Sequence, residues 1–143
     1  ANGAAHAVNY KTENFTEAAR DVTGGEGVHV VYDSVGKDHY QGSIDSLRRR
    51  GMMINFGNAS GPVPPIDAVE LNVKGSLFFT KASMRFYQLS RAELENSAAT
   101  LFDAIGSGAV KPFIGQTYAL ADAAQAHIDV WDGKTTGSTV LSV

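Results

Sequence analysis

The stretch from Val28 to Ser60, VHVVYDSVGKDHYQGSIDSLRRRGMMINFGNAS, constrains the fold more than any other part of the chain. Two short apolar runs, Val28 to Tyr32 and Met52 to Phe56, are separated by a segment long enough for a crossover helix, and small polar residues follow each run. Parallel strands need such a crossover, whereas antiparallel strands can be joined by a tight turn, so the spacing predicts a parallel strand, helix, strand unit. The nearly continuous run Val28, Val30, Val31, Tyr32 predicts a strand covered on both faces. The crossover helix is expected over about Asp38 to Arg49, with Tyr40, Ile44 and Leu47 on one face. Arg48-Arg49-Arg50-Gly51 reads as its end, because cations suit the last turn and glycine suits the left-handed residue after it. Ligands of open parallel sheets lie beyond the carboxyl ends of the strands, which directs attention to Asp33-Ser34-Val35-Gly36 and Gly57-Asn58-Ala59-Ser60.

The flanking segments continue the alternation. An extended segment is expected about Ala7 to Tyr10, then a helix from Asn14, which with Glu17 resembles a capping box, to the break at Thr23-Gly24-Gly25. After the prolines at 62, 64 and 65, Ile66 to Asn72 reads as a short helix and Leu77 to Thr80 as an aromatic strand. Ser83 to Tyr87 is ambiguous. Ser90-Arg91-Ala92-Glu93 is a capping box opening the most secure helix, with Leu94, Ala98, Leu101, Phe102 and Ile105 at helical spacing up to Gly106. A strand about Gln116 to Ala119, a helix placing Ala124, Ile128 and Trp131 on one side, a stop at Gly133 and a final strand from Ser138 to Val143 complete the chain. The pattern predicts an α/β fold with a mainly parallel, Rossmann-type sheet and right-handed crossovers.

At 143 residues the chain fits one domain, with 43% apolar and 19% charged residues as in ordinary soluble proteins. No apolar run approaches the roughly 20 residues that span a bilayer. The formal charge of -3 argues against nucleic acid as a partner, and Arg48 to Arg50 is too short for a binding arm. The chain has no cysteine, which excludes disulfides and thiolate chemistry within it, and its histidines at 6, 29, 39 and 127 lack metal-ligand spacing, so no metal site is expected. The first residue is Ala rather than Met, as in a cut or processed piece. A G-x-G-x-x-G turn after a strand, which would cradle a pyrophosphate, does not occur, and Asp33 reads best as a turn cap.

The segments GAAHAVNYKTENF, GGEGVHVVYDSVG, RRRGMMINFGNASG, GSLFFT and ALADAAQAHIDVWDGKTTGSTVLSV together resemble the C-terminal part of the zinc-independent quinone oxidoreductases, zeta-crystallin-like members of the medium-chain dehydrogenase/reductase superfamily. The resemblance implies a truncated nucleotide-binding domain lacking the first glycine-rich unit, with about 111–143 belonging to the segment that returns to the catalytic domain. It implies NADPH as cofactor, a quinone or other electron-poor carbonyl compound as acceptor, and a cytoplasmic enzyme without nucleic-acid or membrane partners. Tyr10 matches a tyrosine near the adenosine 2'-phosphate, Ser34 and Val35 match a loop beside the nicotinamide, and Phe56, Gly57 and Asn58 match a second cofactor loop. Gly137 and Ser138 match a closing loop near the cofactor, while Gly133 and Lys134 stand about where some members carry an arginine. On the residues alone, Tyr10 reads better as a half-buried strand-end tyrosine, and turn formation is a complete alternative explanation for Gly57.

Leu77 to Thr80 matches the strand that pairs with its copy, implying a homodimer. No catalytic residue is expected in this chain, which by itself should be inactive and serve as one wall of the dinucleotide site. Two alternatives stand beside this reading: a noncatalytic nucleotide-binding or dimerisation module, and an enoyl reductase or alcohol dehydrogenase of the same superfamily.

Overall fold

The structure, a computed structural model, describes residues 3–143. It divides into two units, Ala1–Met84 and Arg85–Val143. The first contains α1 (Phe15–Asp21), β1 (Val28–Asp33), α2 (Tyr40–Asp45), β2 (Leu47–Asn55), α3 (Ala68–Val73) and β3 (Phe78–Lys81). Its strands form one parallel sheet in the order β1-β2-β3, so the α/β reading holds.

The register places Val31, Met53 and Phe79 side by side, and Asp33, Asn55 and Lys81 one pleat further on. The first of these rows belongs to the core. Tyr40, Ile44, Leu47, Met53 and Leu77 are buried together, with Val31, Val63, Ile66, Leu71 and Phe79 packed around them. Completely burying a side chain such as Ile44, Leu47 or Met53 stabilises by roughly 1.5–3 kcal/mol each. The other face, with Val30 41%, Tyr32 71% and Phe78 52% exposed, is largely open. The expectation of a strand covered on both faces therefore fails: α2 and the chain around α3 pack on one side only, and β1 lies at a sheet edge.

Two further expectations are corrected. Ala7 to Tyr10 is not a strand. Asn9 instead organises a turn: its side chain accepts from Lys11 N, its carbonyl from Thr12 N and Glu13 N, and its own amide donates to Glu13. These local bonds satisfy the backbone that a sheet ladder would otherwise use. The crossover helix is also shorter than expected. Ser46 caps α2, its hydroxyl donating to the Gly42 carbonyl, and the chain enters β2 at Leu47. Arg48 to Arg50 thus lie in the strand as a bulge rather than at a helix end, and Arg50, not Gly51, carries the left-handed backbone at φ 59°.

Arg20 explains much of this shortening. Its guanidinium donates to the carbonyls of Gly25, Glu26, Asp45 and Leu47, at 2.8–3.2 Å, closing the end of α2 from the side. The carbonyls left free at a helix end need such donors. Asn14 caps α1, accepting from Thr16 N and Glu17 N.

A short helix α4 (Met84–Tyr87) follows β3. In the second unit, Ser90 and Glu93 form the reciprocal capping box of α5 (Arg91–Gly106), so the most secure helix stands where expected. The strand β4 (Ile114–Ala119), a 3₁₀ turn at Leu120–Asp122, α6 (Ala123–Trp131) and β5 (Ser138–Ser142) complete a second parallel pair with its crossover. The side of α6 that buries is that of Ala126; Ile128 and Trp131, on the expected apolar side, are 51% and 89% exposed.

Candidate functional site

At the carboxyl edge of the first sheet, the exits of β1 and β2 are bonded to each other along their length. Phe56 N donates to Asp33 O, Ala59 N to Ser34 O, Ser60 N to Val35 O and Lys37 N to Gly61 O, at 2.8–3.2 Å. Ser60 adds its hydroxyl, which donates to Val35 O and accepts from Asp38 N. The two loops are effectively one surface.

Asp33 holds the first loop. It is buried, and its Oδ1 accepts from Val35 N and Gly36 N at 2.8 and 2.7 Å while Oδ2 accepts from the Ser43 hydroxyl at 2.9 Å. This is the turn-capping role that its position at a strand end predicts. Glycine is required where the loops touch. A Cβ on Gly36 would stand 2.3 Å from Gly61 O, and one on Gly57 would stand 2.3 Å from Ser34 O. The absent side chain of Gly57 thus answers to the backbone of Ser34.

Sequence reasoning missed the residues that bind the three strand ends together. Asn55, fully buried, donates through Nδ2 to Gly57 O at 3.0 Å and to Asp33, and accepts through Oδ1 from Lys81 Nζ. Lys81 Nζ also donates to Gly57 O and to Asn58 Oδ1, at 3.2 and 2.8 Å. Because Asp33, Asn55 and Lys81 are register neighbours, the carboxyl edge ends in a polar ladder running across all three strands. The signal in the sequence was a polar residue closing each strand on the buried side of the pleat, readable only once the pairing is known.

Beside the ladder, Tyr10, Ser34 and Val35 line one cleft of about 240 Å³ with Tyr32, His39 and Ser43. Tyr10 meets the His39 ring edge-on at 4.7 Å between centroids, and Phe15 braces His39 from 5.3 Å. Tyr10 remains 56% exposed where it lines the cleft. Phe56 and Asn58 are exposed on the adjoining loop. Six of the eight predicted site residues therefore belong to one edge of the first unit.

Gly137 and Ser138 belong to the second unit, at the head of β5. Gly137 has φ 69° with Phe113 against it, and Ser138 N donates to Phe113 O at 2.8 Å. Lys134, considered as a cofactor cation, is held at 2.8 Å by Asp132 and 3.4 Å by Asp129. Asp132 first, then Asp129, raises the ammonium above its ordinary range. The Tyr118 hydroxyl donates to Asp129 at 3.0 Å and is the main cause holding that carboxyl below the ordinary aspartate range. The two carboxylates make Lys134 a brace for its own loop.

The described residues contain no group of three or more His, Cys, Asp or Glu able to hold a metal ion, and no helix among them is long and apolar enough to cross a membrane.

Residues 2–141 match the family model described as zinc-binding dehydrogenase. The chain is 45% identical over 140 residues to a 2-haloacrylate reductase of Burkholderia, covering 97% of this chain and 42% of that protein. It is 45% identical over 141 residues to a quinone oxidoreductase of Salmonella typhimurium, covering 97% of this chain and 43% of the relative. Among solved structures, Escherichia coli quinone oxidoreductase complexed with NADPH superposes with a TM-score of 0.92 at 42% identity, over 99% of this chain and 44% of that one. The chain thus spans less than half the length of the proteins it matches.

Proposed function

The chain belongs to the zinc-binding dehydrogenase family, and from that premise we propose that it is the C-terminal, cofactor-holding part of an NADPH-dependent quinone oxidoreductase. The observation that carries the reading is the carboxyl edge of the parallel sheet, where the cleft of Tyr10, Ser34 and Val35 adjoins the loop of Phe56, Gly57 and Asn58. This is the place where open α/β sheets take nucleotides. Zinc finds no fit here: the chain has no cysteine, and the described residues hold no ligand cluster.

The edge does fit a dinucleotide. Its two loops are pinned by backbone bonds and the ladder, leaving Ser34, Phe56, Asn58 and the Tyr10 ring exposed on a rigid surface. Bound NADPH supplies the hydride; the residues of this chain hold and orient it. Tyr10 offers an aromatic face and a phenol donor at the adenosine end, Ser34 a hydroxyl to ribose, and Val35 and Phe56 apolar contact to the ring. Gly57 and Asn58 keep the second loop close. The acceptor is a quinone or another electron-poor carbonyl compound, a reading supported by the quinone oxidoreductase among the relatives.

Residues 111–143 form the segment that returns to a catalytic domain, and the chain alone, without a pyrophosphate turn, reduces no quinone. The edge of β3 pairs with a second copy through Leu77 to Thr80, a role supported by its single sheet neighbour and by Phe78, 52% exposed. A cytoplasmic enzyme without nucleic-acid or membrane partners completes the reading, in keeping with the absence of cysteine and a formal charge of -3.

The test is an NMR titration of the ¹⁵N-labelled chain with NADPH, with NADH as comparison and light scattering for the mass. Weak, NADPH-selective shifts confined to Tyr10, Ser34, Val35, Phe56, Gly57 and Asn58 are expected, on a dimer. Shifts elsewhere, or none at millimolar NADPH, would refute the assignment of this edge.

A further inference from the structure

The proposed function leaves Arg48, Arg49 and Arg50 without a role. They lie at the opposite end of β2 from the ladder, where the pairing with β1 advances by two residues, Val28 to Val30, while β2 advances by five, Leu47 to Met52. The extra residues are pushed out as a bulge, and the bulge is clamped rather than loose. Arg50 N donates to Gly75 O at 2.8 Å. Gly27 and Gly75 press against it so closely that a Cβ on either would stand 2.8 Å from Arg48 N or 3.0 Å from Arg49 Cα. Arg50, at φ 59°, holds a backbone conformation that a side-chain-bearing residue adopts only where its surroundings impose it.

The guanidinium groups of this bulge are short of partners. Arg48 Nε is buried with no hydrogen-bond acceptor among the described residues. None of the three arginines forms an ion pair with a carboxylate among those residues, in a chain whose formal charge is -3. Arg48 and Arg49 line a pocket of about 190 Å³ together with Glu26. A buried charged donor without an acceptor is costly, and guanidinium forks match the oxygens of tetrahedral oxyanions.

We propose that this bulge is a binding site for a phosphate group, held by Arg48 and Arg49 at the amino edge of the sheet. Glu26 weakens the site, because its carboxylate repels an anion in the same pocket. The small pocket and the negative chain favour a single phosphate group over an extended polyanion. The inference is independent of the cofactor edge, which lies at the other end of the strands.

The ¹⁵N-labelled chain is titrated with inorganic phosphate at constant ionic strength, following the Nε–H signals of its arginines. A saturable shift at Arg48, absent from the exposed Arg91, is expected. Arg49→Gln should weaken binding about tenfold, the value of one charge-assisted hydrogen bond. Glu26→Gln should tighten it several-fold, a gain that an unfolded variant cannot produce. A parallel titration with O-phosphoserine distinguishes the sources: binding of both anions assigns a phosphate carried on a larger ligand, and binding of inorganic phosphate alone assigns the free ion. Shifts that do not saturate, that appear equally at Arg91, or that are unchanged in both variants would overturn the proposal.

Discussion

Replacing Gly57 by alanine separates a structural requirement from a ligand requirement at the candidate site. The new Cβ would sit 2.3 Å from Ser34 O, 2.8 Å from Ser34 Cα and 2.9 Å from Ser34 C, where ordinary contact begins at 3.4 Å. All three atoms are backbone, so no side chain can swing aside. The loops must part by about an ångström, which breaks or stretches the bonds Phe56 N to Asp33 O, 2.8 Å, and Ala59 N to Ser34 O, 3.2 Å. Two such bonds are worth about 0.5–1.5 kcal/mol each, and overpacking adds about 1–3 kcal/mol. Because these effects share atoms they do not add fully, and the expected loss is about 3 kcal/mol. Gly57 does not have the left-handed φ that would penalise alanine by itself, so the contact with Ser34 carries the effect. Two units need not unfold together, so urea unfolding is best followed by amide exchange at Ala59 and Ser60. Retained protection and an unchanged midpoint would refute the argument. Intact protection with loss of NADPH-dependent shifts would assign Gly57 to the ligand instead.

Two other perturbations follow from the same contacts. Arg20→Met leaves the carbonyls of Gly25, Glu26, Asp45 and Leu47 without their donor, and should cost about 3 kcal/mol, with Arg20→Lys recovering only part because an ammonium cannot reproduce the fork; urea midpoints test both. Asp129 is held below the ordinary aspartate range chiefly by Tyr118. Its contribution to stability is therefore present above the unfolded-state value and lost as pH falls through the lower folded-state value. Tyr118→Phe should raise the titration of the Asp129 carboxyl toward the ordinary range, and ¹³C NMR of that carboxyl measures it.

What could be read in advance was local. Ser90 and Glu93 lie three residues apart and need nothing else to cap a helix, and Asn14 caps α1 in the same short-range way. Asp33 declared itself as a turn cap because its acceptors serve amides two and three residues on. Tyr10, Ser34 and Val35 entered through a family resemblance, and they do line one cleft. Arg20 was silent because its acceptors are as many as 27 residues distant. Asn55 and Lys81 were silent for the same reason: a polar strand end acquires meaning only from the strand beside it.

The sequence by itself determined that the chain is α/β, that its strands run parallel, and that two glycine-bearing loops end at one edge, since strand periodicity, crossover length and turn chemistry are properties of neighbouring residues. Only the tertiary structure decided where α2 ends, which face of β1 is covered, and that Arg48 to Arg50 bulge from a strand. It also decided that Gly57 yields space to Ser34 and that a ladder from Asp33 through Asn55 to Lys81 holds the loops. The reason is physical: these outcomes depend on donors, acceptors and packing surfaces remote in the chain, and chain neighbours do not encode which distant group will arrive.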